Sequence, residues 1–204
     1  MITDKILRKI KAKKRGWVFC AKDFHDLGTR NAIDKALSRM SDDKATDDDG
    51  NKIIRVVRGI YYYPIIQDGI GIIPANLDDV ANAIARNAGI AIYPSGAMCA
   101  NMLGLSNQVP SQNIYWTHGK SMTKQIGKNT IIFKHIRTNP IPNTPSVVMI
   151  VLNALNYLGK NKVDDVAVIR CSKVLNDSDK KYLQKMSSKV SGWVADFIPK
   201  IIAA

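Results

Sequence analysis

The sequence predicts an α+β fold that is divided into two domains. Apolar residues recur at helical spacing in several segments, and short runs rich in β-branched and aromatic residues lie between them. The composition changes along "PIIQDGIGIIPAN", residues 64–76, where glycines and prolines interrupt both patterns. We therefore predict a first domain over residues 1–66 and a second, mixed and helix-rich α/β domain over residues 76–204. A chain of 204 residues is long enough to bury two small cores.

The first domain begins with a predicted amphipathic helix. Its apolar residues recur at i, i+4, i+5 and i+8: Ile2, Ile6, Leu7 and Ile10. The segment "GWVFCAKDFHDLG" follows and predicts a short extended piece and then a helix of about six residues from Ala21 or Lys22. Gly28 is expected to follow the C-cap of this helix, and Thr29 is expected to cap the next one.

The helix predicted from Arg30 to about Ser41 has two different faces. At about 100° per residue its apolar residues fall within one arc of roughly 140° and predict the buried face: Ala32, Ile33, Ala36, Leu37 and Met40. The opposite face is polar: Arg30, Asn31, Asp34, Lys35, Ser38 and Arg39. Cations and amides in such a mixture suit contact with the phosphates and base edges of DNA.

A polar loop, "SDDKATDDDGN", precedes the ribbon "KIIRVVRGIYYYP", residues 52–64. Helix, helix-turn-helix and ribbon in this order predict a winged helix-turn-helix. Arg55 and Arg58 would lie on the wing and reach phosphates or a minor groove, while Val56, Ile60 and a tyrosine close the small core. The alternative is that both arginines are solvated strand residues with no binding role.

The charge of the chain favours a polyanionic partner. The formal net charge is +13, with 15 Lys and Arg against 9 Asp through Ile66 and 15 against 8 in the remainder. Cations in such excess release condensed counterions from nucleic acid. Together with the predicted winged helix-turn-helix, this charge leads us to expect double-stranded DNA as the partner. The residues predicted to contact DNA lie on the two helices after the first and on the ribbon: Lys22, Thr29, Arg30, Asn31, Lys35, Ser38, Arg39, Lys52, Arg55 and Arg58.

The second domain is predicted to begin with a helix that Asn76 caps and Gly89 ends. A short strand, a Pro-Ser-Gly turn and a helix of small residues closed by Gly104 follow, and then the strand-like runs "NIYWT" and "NTIIFKHI". The segment "TPSVVMIVLNALNYLG" predicts a helix with Pro145 near its start. "VDDVAVIRC" is compatible with helix or strand. The last helix is predicted from Ser178, with these residues inward: Tyr182, Leu183, Met186, Val190 and Trp193.

Several kinds of chemistry have no support in the sequence. The chain contains no glutamate, which excludes motifs such as H-E-x-x-H, and it has no phosphate-binding loop. The three histidines lie far apart without cysteines at ligand spacing, so no metal site and no cofactor are predicted. Ser95 is interpreted as a helix cap rather than a nucleophile. The three cysteines form no C-x-x-C pair, and we expect reduced thiols, no membrane span, no secretory signal and a cytoplasmic protein.

A nuclease is the weaker alternative. Asp179 and Lys181 form a D-x-K pattern that Asp164 or Asp165 could complete. Asp near the start of a helix is, however, favoured by the helix dipole, which explains Asp179 without catalysis. The run Asp47–Asp49 resembles a metal-binding group but is interpreted as a turn because Gly50 and Asn51 follow it.

Four segments together resemble the AbiEi-type antitoxins of bacterial type IV toxin-antitoxin systems: "DFHDLGTRNAIDKALSRM", "IIRVVRGIYYYP", "IYPSGAMCANMLGLSNQVP" and "IYWTHGK". The resemblance implies a winged helix-turn-helix that represses its own operon by binding promoter DNA. It also implies a C-terminal domain that counters a nucleotidyltransferase-like toxin without forming a stable complex with it. Such a protein is not an enzyme. A stand-alone winged-helix transcriptional regulator is the alternative.

Overall fold

The computed structural model describes residues 1–42, 52–108, 112–136, 144 and 146–204. The chain has a mixed α+β architecture and divides into two compact units. The first consists of Met1–Ala91 with Lys124–Ile131, and the second of Ile92–Thr123 with Ile132–Ala204.

Three helices and five short strands make up most of the first unit. In chain order they are α1 (Ile2–Ala12), β1 (Val18–Cys20), a 3-10 turn (Ala21–Phe24), α2 (Arg30–Met40), β2 (Ile54–Val57), β3 (Ile60–Tyr62), β4 (Ile65–Gln67), β5 (Gly71–Ile73) and α3 (Leu77–Ala88). Strands β1, β3 and β2 form an antiparallel sheet in that order, and β4 pairs with β5.

The central sheet is covered on both faces. Phe19 and Tyr61 lie stacked with ring centroids 6.1 Å apart, in one core with Tyr63 and the buried residues of α1 and α2. Helix α3 packs against β1 and β3. Because side chains alternate along a strand, the fully buried sequence Val18–Cys20 needs a cover on each side, and α1 with α2 and α3 provide the two covers.

The expected faces of α2 are confirmed. Ile33, Ala36 and Leu37 are buried, and Ala32 and Met40 are half-buried. The Thr29 hydroxyl caps the helix by accepting a hydrogen bond from the Ala32 amide at 3.4 Å.

The ribbon prediction is also confirmed, as a hairpin of β2 and β3. Val57 pairs with Ile60, so Arg58 and Gly59 form the turn, in which Gly59 has a φ of 80° that favours glycine. A register shift between Arg55 and Val57 marks a bulge. Ile60 and all three tyrosines are buried, and Val56 is half-buried. The turn predicted at Asp47–Asp49 lies outside the described residues.

Two local predictions in the first unit were wrong. The helix expected from Ala21 or Lys22 is a 3-10 turn that ends at Phe24. Gly28 is not in the left-handed conformation of a residue that follows a C-cap. A Cβ at Gly28 would instead lie 2.6 Å from Cδ1 of Ile2, so this glycine lets α1 approach the chain closely.

The predicted boundary at residues 66–76 does not coincide with the division of the structure. Residues 65–73 form the β4–β5 hairpin, which was not predicted, and α3 belongs to the first unit. The caps predicted for α3 are confirmed: Asn76 accepts amide hydrogen bonds from Asp78 and Asp79, and Gly89 follows with a φ of 72°.

The second unit combines a small sheet with a group of helices. Its elements are β6 (Ile92–Pro94), α4 (Gly96–Met102), β7 (Asn113–Thr117), β8 (Met122–Ile126), β9 (Asn129–His135), α5 (Ser146–Leu158), α6 (Asp165–Lys173), α7 (Asp177–Lys185) and α8 (Gly192–Ala203). The strand order is β6-β7-β9-β8, and the tip of the β8–β9 hairpin is grouped with the first unit.

Most of the second-unit predictions hold, with three differences. The segment "VDDVAVIRC", which is compatible with helix or strand by its sequence, forms helix α6. The Asp164 carboxylate caps this helix by accepting a hydrogen bond from the Ala167 amide at 2.8 Å. Strand β8 was not predicted. The single helix expected from Ser178 is wrong in extent, because α7 ends at Lys185 and α8 begins at Gly192. Pro145 lies outside the described residues.

Candidate nucleic-acid interface

The outer face of α2 carries polar side chains in solvent. Asn31, Lys35, Ser38 and Arg39 are exposed. Within the described residues the side chains of these four residues make no hydrogen bond or ion pair. The buried side of the helix holds it on the core through Ile33 and Leu37. The exposed donors are therefore available to a partner without breaking a hydrogen bond or ion pair of the described residues.

Arg30, on the same helix, already has partners. Its Nε donates to the Asp34 carboxylate at 2.8 Å, and one terminal nitrogen donates to the Asn87 side-chain oxygen on α3 at 3.3 Å. A guanidinium has five N–H donors, so these two bonds leave others for a phosphate. Asn87 was not predicted as a partner, because it lies 57 residues from Arg30 along the chain.

The hydroxyl of Tyr61 is influenced by charges on α2 and on β2. Arg55 on β2 is paired with Tyr61 in the sheet register. Burial raises the pKa of Tyr61, while the nearby charges of Arg55 and Arg30 lower it and that of Asp34 raises it. Residues of the helix and of the ribbon therefore act electrostatically on the same group.

The two arginines of the hairpin are exposed. Arg55 lies on β2, an edge strand of the sheet, and Arg58 lies in the β2–β3 turn. In the part of the chain that the structure describes, neither side chain forms a hydrogen bond. Two exposed cations on a ribbon can contact a phosphate backbone next to a groove.

Three other residues predicted to contact DNA, Lys22, Thr29 and Lys52, interact with or lie close to other parts of the chain. The Lys22 amine lies 3.2 Å from the position of a Cβ on Gly89, at the C-terminus of α3, where the helix dipole favours a cation. Thr29 uses its hydroxyl as the cap of α2. Lys52 is half-buried and takes part in an interaction within the chain.

Two further cations near the first sheet are held by the fold. Arg86 on α3 bonds the carboxylate of Asp23 and the carbonyl of Val18. Arg15 donates to the carbonyl of Pro64 at 2.9 Å and lies over the Tyr63 ring. Neither belongs to the exposed helix face.

The acidic residues of the nuclease alternative lie at helix starts. Asp164 caps α6, and the Asp179 carboxylate accepts the Asn176 amide at 3.3 Å in the capping box of α7. Asp165 lies in the first turn of α6. Among the described residues no group of three or more His, Cys, Asp or Glu side chains could hold a metal ion.

Ser95 and the three cysteines are buried. Ser95 accepts the Met98 amide as the cap of α4. Burial raises the pKa of Cys99 to about 12 and that of Cys171 to about 11, and it also raises the pKa of Cys20. Such thiols are protonated at neutral pH and react slowly.

None of the described helices has both the length and the apolar character that a membrane span requires.

In comparisons with known proteins, the sequence model of a family of unknown function, DUF6088, matches residues 5–183, which include parts of both units. No curated protein and no solved structure matches the chain.

Proposed function

We propose that this chain, which belongs to the DUF6088 family, binds double-stranded promoter DNA through α2 and the β2–β3 hairpin. The observation that carries the proposal is the outer face of α2, where Asn31, Lys35 and Arg39 are exposed, and the β2–β3 hairpin of the same unit also exposes two arginines. These side chains match the usual contacts of DNA-binding helices, since Arg and Lys bind phosphates or guanine and Asn binds adenine.

The topology supports a winged helix-turn-helix. Helix, strand, helical turn, helix and hairpin follow one another, and the sheet order β1-β3-β2 places the hairpin beside the first strand. In this proposal α2 enters the major groove, and the β2–β3 hairpin is the wing that contacts the backbone. The 3-10 turn Ala21–Phe24 takes the place of the first helix of the helix-turn-helix.

The wider role that we propose is that of an antitoxin. In this role the first unit represses the chain's own operon, and the second counters a nucleotidyltransferase-like toxin without a stable complex. Two features support the assignment: the sequence resembles AbiEi-type antitoxins in four segments, and the second unit has its own core of helices α5 to α8. Each unit thus has its own hydrophobic core, which fits a separate activity for each unit.

The decisive experiment measures binding of the purified full chain to the DNA upstream of its own gene, with random DNA of equal length as competitor. Specific retention in a gel shift, weakened by added salt, is the expected result. Equal affinity for both DNAs, or none for either, would contradict the repressor role.

Two further measurements separate the antitoxin from its alternatives. Growth of cells that express the toxin encoded beside this gene should recover when the chain is co-expressed. A neighbouring gene unrelated to nucleotidyltransferases would favour a stand-alone regulator. Mg²⁺-dependent cleavage of DNA that is lost in Asp179→Asn would favour the nuclease.

A further inference from the structure

The side chain of Asn87, near the end of α3, lies close to both elements that are proposed to contact DNA. Its oxygen accepts a hydrogen bond at 3.3 Å from a terminal nitrogen of Arg30, the first residue of α2. Its nitrogen lies 3.4 Å from the position of a Cβ on Gly59, in the β2–β3 turn. Because Gly59 has no side chain, the turn that carries Arg58 approaches this amide closely. One side chain of α3 therefore lies near the helix and near the hairpin.

The backbone that carries Asn87 is held firmly on the first sheet. Helix α3 packs against β1 and β3 and buries Ile84. The residue before Asn87 is Arg86, which bonds the Asp23 carboxylate and the Val18 carbonyl. The half-buried Asn87 side chain is thus a fixed acceptor for a group that reaches it from α2.

Arg30 occupies a position that gives its own helix little stability. The helix dipole disfavours a cation in the first turn, and this turn contains no acidic residue. The 2.8 Å pair with Asp34 has the cation before the carboxylate, which is the weaker order along a helix. Within the described residues, Asp34 and Asn87 bond Nε and one terminal nitrogen, and the other terminal nitrogen forms no hydrogen bond. A guanidinium held in this way still has donors for an acceptor outside the chain, such as a phosphate.

We propose that Asn87 is a positioning residue for DNA binding, which holds the guanidinium of Arg30 in the orientation that a backbone phosphate requires. This inference rests on the proposed function, because it assigns a role within the same DNA contact. An arginine side chain loses rotamer freedom when it binds a phosphate, and ordering it beforehand raises the affinity about two- to tenfold. Asn87 acts through Arg30 and not by touching the DNA, so α3 becomes a working part of the DNA-binding unit.

Fluorescence anisotropy of the full chain on its promoter DNA measures the effect of Asn87→Ala. We expect binding about two- to tenfold weaker than that of the natural chain. The salt slope should stay the same, because Arg30 still reaches its phosphate, whereas Arg30→Ala should reduce the slope by about one. In the double variant, Asn87→Ala should cause no further loss, because the side chain that it positions is absent.

Asn82→Ala is the matched control, because it removes the same kind of side chain from the same helix. Asn82 is exposed, and its amide donates to the carbonyl of Asp78 at 2.9 Å, one turn earlier in α3. This variant should bind DNA as the natural chain does. Asn82→Ala and Asn87→Ala should have similar melting temperatures, so a loss of DNA affinity that is confined to Asn87→Ala is not a loss of fold.

Nuclear magnetic resonance of the Arg30 side chain gives a second readout that requires no DNA. The order parameter of its Nε–H bond reports motion on the picosecond to nanosecond timescale. This order parameter should fall in Asn87→Ala, where Asp34 alone holds the guanidinium, and should not change in Asn82→Ala.

Four results would overturn the inference. They are natural DNA affinity in Asn87→Ala, an equal effect of this change with and without Arg30, a melting temperature clearly below that of Asn82→Ala, or an unchanged order parameter of Arg30. DNA binding that is insensitive to Asn87→Ala would contradict this inference alone. Absence of DNA binding by the natural chain would contradict the proposed function and, with it, the role of Asn87.

Discussion

Arg86 holds the carboxylate of Asp23 with two nitrogen atoms, at 3.1 Å to one oxygen and 3.2 Å to the other. The two residues are 63 positions apart, on α3 and on the 3-10 turn that precedes α2. The same arginine donates to the carbonyl of Val18 at 3.0 Å. It therefore connects α3 to the edge strand β1 and to the 3-10 turn that precedes α2.

Arg86→Gln should lower the free energy of unfolding of the first unit by about 1 to 2 kcal/mol, because it leaves the mostly buried Asp23 carboxylate and the Val18 carbonyl with poorer partners. Thermal unfolding followed by circular dichroism measures the change. Lys5→Gln, an exposed cation on α1, is the control and should have little effect. Equal melting of both variants would contradict a structural role for Arg86.

Lys35→Ala and Arg39→Ala should each weaken operator binding, because both side chains are exposed on α2. A lost phosphate contact should reduce the salt slope by about one, and a lost base contact should cost about 1 to 3 kcal/mol at one operator position. Arg30→Ala should also weaken binding and should in addition release Asp34 and Asn87. Fluorescence anisotropy over a salt series measures all three. Unchanged affinity in every variant would dismiss α2 as the reading helix.

Arg55→Ala and Arg58→Ala should lower affinity for operator and random DNA alike, since a ribbon on the backbone carries little sequence information. The measurement compares dissociation constants on both DNAs. A lower melting temperature with undiminished DNA binding would show that these arginines belong to the fold instead.

The double variant Lys35→Ala and Arg39→Ala should still rescue cells from the cognate toxin while it no longer represses. Full-length variants suit this test better than a fragment that starts at residue 76, because such a fragment would separate α3 from β1 and β3. Growth on co-expression and a promoter reporter give the two readouts. Loss of rescue in a folded variant would mean that the two activities depend on one surface.

Gly96→Ala should destabilise the second unit by about 1 to 3 kcal/mol through overpacking. An added Cβ would lie 2.7 Å from Cβ of Tyr157 and 2.9 Å from the backbone oxygen of Asn153, both on α5. Gly192→Ala at the start of α8 is the matched control, since a Cβ there meets nothing within 4 Å. In thermal melts, Gly96→Ala should therefore lower the melting temperature clearly more than Gly192→Ala does.

Local signals made much of the fold predictable. The faces of α2, the caps Thr29 and Asn76, and the hairpin that ends in tyrosines follow from residues close together in the sequence. The β4–β5 hairpin was missed because Gly69 and Gly71 read as linker residues, although both have the positive φ of a tight turn.

Contacts between distant segments explain the remaining differences. The place of α3 depends on apolar packing against β1 and on Arg86, and the partner of Arg30 is Asn87. No periodicity within a single segment reports such contacts. For the candidate site, the exposed residues of α2 were predictable from the helical wheel, whereas the local roles of Lys22 and Lys52 were not.

The outer face of α2 has a consequence for how sequences of this kind diverge. Because the side chains of Asn31, Lys35, Ser38 and Arg39 form no hydrogen bond or ion pair within the described residues, replacing them should change stability by less than about 0.5 kcal/mol. In the role we propose, mutation can therefore alter the recognised DNA sequence without a compensating change in the core. In that role, relatives on the same scaffold are free to acquire separate operators, and duplicated copies in one cell can become insulated from each other's promoters.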